Sequence, residues 1–269
     1  MARGLVTRDL YAIKGRLVEL GTNHGITSHA FMSITQNIAD IRERIHAAAR
    51  RANRSGDAIT LMGVTKTVPV ERVREAAAGG LRLFGENRVQ EFAGKAEALR
   101  GLEDAEWHMI GHLQSNKAAK AVDLFSHIDS VDSLRLAQKL NSVGEEAGKR
   151  LVVLIEINIG GEAAKTGIAP GSGELERLLR AAPELSQLEI RGLMTVPPYK
   201  DDAEQSRPYF RKMRELFEQI SREKHPKVQI ETLSMGMSHD FEIAIEEGAT
   251  CVRVGTAIFG ERPVARSKT

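Results

Sequence analysis

A lysine closes the first strand-like run of the chain, and its position suits an amine that forms a Schiff base with a carbonyl. The run LMGVTK, Leu61 to Lys66, reads as a buried strand, and in a parallel α/β protein the carboxyl ends of strands form the face where functional groups gather. Period-two alternation sets Met62, Val64 and Lys66 on one side and Leu61, Gly63 and Thr65 on the other, so the amine projects inward over apolar neighbours. Partial burial disfavours the ammonium form, and the neutral amine is the nucleophile. The competing reading is an ordinary exposed lysine at a strand end.

Two later segments have the composition of phosphate-binding turns. SMGMSHD, Ser234 to Asp240, follows the penultimate strand and precedes a helix; RVGTAIFG, Arg253 to Gly260, follows the last strand. Small residues there expose backbone N–H groups, which together with a helix amino terminus suit an anion. Ser234, Gly236, Met237 and Ser238 are the candidates in the first segment. Gly255, which permits close approach, and Thr256, which offers a hydroxyl, are those in the second. Alternation places Arg253 with Cys251 and Gly255 and sets Val252 and Val254 on the opposite side, so valines packed on helices send the arginine into the interior. A buried arginine keeps its charge and needs acceptors, either a ligand or a carboxylate such as Glu156.

The remaining polar candidates have two readings each. Asn87, after the second strand, contacts a ligand or caps the helix beginning RVQEF. His108 and His112 flank the end of the third strand and one could exchange protons near neutral pH; Gly111 between them argues against a helical metal pair. The lone cysteine, Cys251, cannot form an internal disulfide and reads as a small buried thiol in a reducing compartment.

These residues need a scaffold, and the chain alternates strand and helix throughout. Ile34, Ile38, Ile41 and Ile45 mark a helix over 34–54, after which eight short β-rich runs alternate with amphipathic helical runs. That order predicts a single (β/α)8 barrel of the TIM type. The alternative, an open doubly wound sheet, lacks its glycine-rich fingerprint, because the first strand is followed by TKTVP. Zinc-type spacings, H-E-x-x-H and a Walker A loop are also missing. Residues 1–32 read as an N-terminal extension with a short helix, and residues 33–269 as the barrel domain. The helical run 203–224 is expected to present Glu204, Arg211, Arg214, Glu215 and Glu218 to solvent.

With 38 Lys plus Arg against 36 Asp plus Glu in 269 residues, and the two signs interspersed, neither nucleic acid nor a membrane surface is the expected partner. No apolar run approaches the ~20 residues of a membrane helix, and no signal peptide is recognisable. A cytoplasmic location is expected.

The ordered motifs GVTKTVP, LFGENRVQE, EWHMIGHLQSNK, the set Asn158, Glu162, Lys165 and Gly167, then RGLMT, SMGMSHD and VRVGTAIFG, resemble those of the pyridoxal phosphate homeostasis proteins. The resemblance runs from about Ile34 to Arg262. It implies a barrel like the N-terminal domain of alanine racemase, with pyridoxal 5'-phosphate as cofactor and Lys66 as the lysine of the internal aldimine. By the same match Ser238, Gly255 and Thr256 are phosphate contacts and Arg253 is the partner of the pyridine nitrogen. Asn87 and residues of the SMGM turn, Ser234 to Met237, line the site. Thr65 and Val68 depart from residues common in relatives. The chain ends soon after the last strand, which leaves no room for the second, β-rich domain of the racemases. Binding, storage or transfer of the cofactor is therefore the expected role, with apo-enzymes as recipients and a monomer as the working unit. The alternatives are a slow racemase or lyase, or an aldolase-type barrel using Lys66 without cofactor.

Overall fold

The computed structural model describes residues 33–261, and the N-terminal extension lies outside them. Eight strands close into one barrel in chain order, with every pair parallel: β1 (Thr60–Val64), β2 (Leu83–Glu86), β3 (Glu106–Met109), β4 (His127–Val131), β5 (Leu151–Glu156), β6 (Leu188–Met194), β7 (Val228–Met237) and β8 (Cys251–Val254). The barrel expectation holds. Helix α1 (Ile34–Arg51) precedes β1; α2 (Val70–Ala78), α3 (Val89–Ala96), α4 (Ala118–Leu124), α5 (Leu134–Ala147), α6 (Glu174–Ala181), α7 (Arg207–Glu223) and α8 (Phe241–Glu246) connect successive strands, and α9 (Thr256–Phe259) follows β8.

Strand alternation divides the apolar residues between two layers. Val252, Val254, Ile128, Val153 and Ile155 face the helices and join the main core, whereas Met62, Leu83 and Cys251 form a separate cluster inside the barrel. The four isoleucines of α1 are buried, each contributing on the order of 1.5–3 kcal/mol. Local signals set the helix ends. Ser33 Oγ accepts from the Gln36 N–H at the start of α1, Ser133 Oγ accepts from the Leu136 N–H at the start of α5, and Gly148 ends α5 with φ of 63°.

Three boundaries differ from the sequence reading. The first helix stops at Arg51, where the Ala52 N–H already turns back to Ala48 and Ala49 carbonyls. The apolar run TCVRVGTAIF, Thr250 to Phe259, whose composition suits one long strand, is divided at Gly255, and TAIF becomes α9. β7 extends to Met237, four residues into the expected turn Ser234 to Asp240. The polar face of α7 is also not merely solvated. Arg207 bridges Glu246 and Glu247, and Arg211 reaches Glu247, so this face is tied to the end of α8.

Candidate functional site

Lys66 sits in a turn just beyond β1, partly buried. The turn is held from three directions. The Thr65 N–H donates to the Gly85 carbonyl at 3.0 Å, extending the β1–β2 ladder one residue past the strand. The Thr65 hydroxyl, fully buried, donates to Glu86 Oε1 at 2.7 Å. Lys95 of α3 donates from Nζ to the Thr65 carbonyl at 2.9 Å and to Glu91 Oε1 at 2.6 Å, and it lies 3.4 Å from Glu86 Oε1. Glu91 also accepts the Thr67 N–H, which matters because Thr67 adopts a left-handed φ of 60° that a branched residue rarely keeps unaided. Burial pushes the Glu86 carboxyl above the usual range, against the opposing pull of Thr65 and Lys95.

Arg253 enters the barrel as alternation requires and is 3% exposed. It donates from Nη1 to Ser234 Oγ and from Nη2 to the Thr195 carbonyl, both at 2.7 Å. The ion pair with Glu156 does not form, and among the described residues Arg253 has no carboxylate within ion-pair distance. Glu156 instead accepts the Thr166 hydroxyl on Oε1 at 2.9 Å, while its buried Oε2 has no partner among the described residues. Burial first, then nearby Asp132, raises the Glu156 carboxyl from its ordinary value. Burial lowers Arg253, although a guanidinium stays charged. The neighbouring Cys251 thiol is pushed up to about 12 by burial and by Asp129, which leaves it unreactive, as expected.

The two late segments meet at Ser238. Its Oγ accepts the N–H of Gly255 at 3.2 Å and of Ala257 at 3.4 Å, so donors from the start of α9 converge on a hydroxyl from the end of β7. The other members divide by position. Ser234 is fully buried under Arg253. The Met237 N–H is taken by Asp240 Oδ1 at 2.7 Å, so this turn presents fewer open donors than its composition suggests. Gly236 is required by packing: at φ of +90°, a Cβ there would lie 2.5 Å from the Ala244 Cβ. A Cβ on Gly255 would make only ordinary contact with Val64, so close approach to protein does not explain that glycine. Thr256 is exposed at the first turn of α9.

Asn87 is partly buried and does not cap α3, whose N-cap is Arg88 without a side-chain cap bond. The capping reading is thereby overturned. The two histidines do not act as a unit: His112 pairs with Asp132 through Nδ1 at 3.2 Å beyond the end of β3, whereas His108 lies within β3 against Asp129. The loop after β5 is braced by Asn158, whose side chain bonds the Glu162 backbone in both directions and the Lys165 carbonyl. Lys66, Asn87, Ser238, Gly255 and Thr256 all follow the carboxyl ends of strands, and Arg253 lies one residue before the end of β8. Sequence reading missed Glu86, Glu91 and Lys95. The 91/95 spacing was the available signal, but such pairs are common on exposed helices.

The alanine racemase N-terminal domain family matches residues 36–263. A pyridoxal phosphate homeostasis protein of Aquifex aeolicus is 46% identical over 86% of this chain and 99% of its own, and one of Escherichia coli K12 is 41% identical over 87% of this chain and 98% of its own. Among solved structures, PipY of Synechococcus elongatus with PLP bound is 36% identical, covers 84% of this chain and all of its own length, and superposes with a TM-score of 0.73. An alanine racemase of Clostridium difficile, 17% identical with a TM-score of 0.63, shares the fold. The chain belongs to the pyridoxal phosphate homeostasis protein family, and its barrel is an alanine racemase N-terminal domain.

Proposed function

We propose that this protein binds pyridoxal 5'-phosphate at the carboxyl-terminal mouth of its barrel and serves cofactor homeostasis by holding and passing it on. The observation that carries the reading is the placement of a braced lysine, a buried arginine without a carboxylate partner, and a hydroxyl-centred donor cradle at one end of the barrel. The residues present fit that group: Glu156 Oε2, buried and without a hydrogen-bond partner among the described residues, marks unused polar capacity in the same mouth. Lys66 Nζ would hold the group through its aldehyde carbon. Ser238, Gly255 and Thr256 would hold the phosphate, Arg253 would serve the pyridine nitrogen, and Asn87, Ser234, Gly236 and Met237 would line the site.

Bound there, the cofactor would supply an electron sink for carbanions. Arg253 works against that use, because a permanent cation cannot donate a carboxylate-style counter-charge and favours an unprotonated ring nitrogen. Holding and release suit the site better than rapid turnover at an amino-acid α-carbon. Recipients are apo-enzymes, the working unit is a monomer, and the setting is the cytoplasm. Among the described residues no helix is long and apolar enough to cross a membrane.

The test is mass spectrometry of the purified protein after borohydride reduction. The expected product is a phosphopyridoxyl group on the peptide containing Lys66. An unmodified Lys66 peptide from protein that retains bound cofactor would refute the assignment.

A further inference from the structure

The opposite, amino-terminal end of the barrel holds a second cluster that the cofactor reading does not use. A cavity of about 510 Å³ opens there, lined by first residues and inward-facing residues of the strands, including Glu106, His108, His127 and Asp129. His108 and His127 are register partners on β3 and β4, which sets their rings in a stack with centroids 4.1 Å apart. One potential ligand atom from each of Glu106, His108 and His127 lies within 4.8 Å of the other two.

The hydrogen bonds around these rings leave their ligating capacity facing the cavity. His108 Nδ1 bonds both oxygens of the buried Asp129 at 3.0 Å, which fixes the tautomer with its proton on Nδ1. The other nitrogen, Nε2, is buried without a hydrogen-bond partner among the described residues. An orphaned imidazole nitrogen behind a carboxylate is the arrangement found in metal sites, where the carboxylate orients the ring and raises its basicity. His127 Nδ1 is 3.0 Å from Ser126 Oγ, which satisfies that nitrogen and leaves its Nε2.

We propose that Glu106, His108 and His127 form a divalent transition-metal site of the zinc type at the amino-terminal mouth, with Asp129 orienting His108. Two imidazoles and a carboxylate suit zinc and leave a fourth position open to the cavity. Ligand atoms around zinc at ~2.0–2.1 Å bonds stand about 3.3 Å apart, so binding draws the three groups inward and tilts the stacked rings toward a common point. The exposed Glu106 side chain supplies most of that adjustment, its Oε2 now lying 4.0 Å from His108 Nε2. The site would clamp β3 to β4, whose ladder has only two register pairs.

The experiment uses the full chain without an affinity tag, stripped with chelator and titrated with zinc chloride at pH 7.5 by calorimetry, with a cobalt(II) absorption spectrum as a second readout. One zinc per chain is expected, with a tetrahedral or five-coordinate cobalt spectrum. Glu106→Gln and Asp129→Asn each weaken binding about 10–100-fold, and His127→Ala abolishes it. If His127→Ala does not fold, Glu106→Gln, at an exposed position, decides the matter. Absence of zinc binding, or stoichiometric binding unchanged by Glu106→Gln and Asp129→Asn, overturns the proposal.

Discussion

Lys95 Nζ donates to the carbonyl of Thr65 at 2.9 Å, so a cation from α3 grips the peptide group immediately before Lys66. The same ammonium holds Glu91 at 2.6 Å and approaches the fully buried Glu86. Lys95 thus positions the Lys66 turn and neutralises a carboxylate that has little access to water. Replacing it by methionine leaves Glu86 without its cation, which should cost about 3 kcal/mol. Urea denaturation would check the loss of stability, and cofactor absorbance the loss of occupancy. Unchanged values for both would show that the network does not hold the turn.

Lys66→Ala should remove the covalent chromophore while leaving the fold intact. Lys66 is only partly buried and lies outside the hydrophobic core, so the stability change should stay within about 1 kcal/mol. Paired thermal melts and absorbance spectra separate the two effects. A visible chromophore retained by the variant would place the attachment elsewhere.

Arg253→Lys keeps the charge but lacks the planar fork that reaches Ser234 Oγ and the Thr195 carbonyl together. One buried acceptor is left unmatched, at a cost of about 1–3 kcal/mol. Equilibrium unfolding should report that loss, and cofactor affinity should fall with it.

Glu156 carries a pH signature. Its carboxyl is raised above 4.5 by burial and by Asp132, so between that value and its folded pKa the native state binds more protons than the unfolded state. Stability from this group is therefore full below 4.5 and declines as pH rises through the shifted range. Glu156→Gln abolishes the decline. The stability difference, variant minus wild type, should grow from pH 4.5 upward, measured by denaturant unfolding at several pH values; a flat difference would show that Glu156 ionises normally.

Gly236→Ala combines a left-handed backbone with a Cβ 2.5 Å from that of Ala244 and 2.9 Å from the Phe241 Cα. A destabilisation of about 2–4 kcal/mol is expected from strain plus overpacking. The shift in urea midpoint measures it.

Architecture was legible in the sequence because it rests on repeated local signals. Each strand alternates or is continuously apolar, and each helix has a buried stripe, so eight weak indications agree on a barrel. The inward course of Arg253 followed from the valines on either side of it. The site was legible only where one residue's role follows from its own strand. The Lys95 brace was hidden because one ammonium on α3 joins the backbone carbonyl of Thr65, just past β1, to the Glu86 carboxylate of β2 across 9 to 30 residues of sequence. Arg253's acceptors were hidden for the same reason: a backbone carbonyl at Thr195 carries no mark in the sequence. Strand ends were misjudged at Gly255 and Met237, where turn geometry, rather than composition, decides.

The hydroxyl of Ser238 occupies the two amide donors that begin α9. On the proposed phosphate placement, an anion would share or compete for these amides with Ser238, and its departure would leave them to that hydroxyl again. With the site empty, the two amides would therefore keep a hydrogen-bond partner, which lowers the cost of release. A carrier that must surrender its cargo benefits from such a reversible substitution, whereas a catalyst that never lets its cofactor go has no need of one.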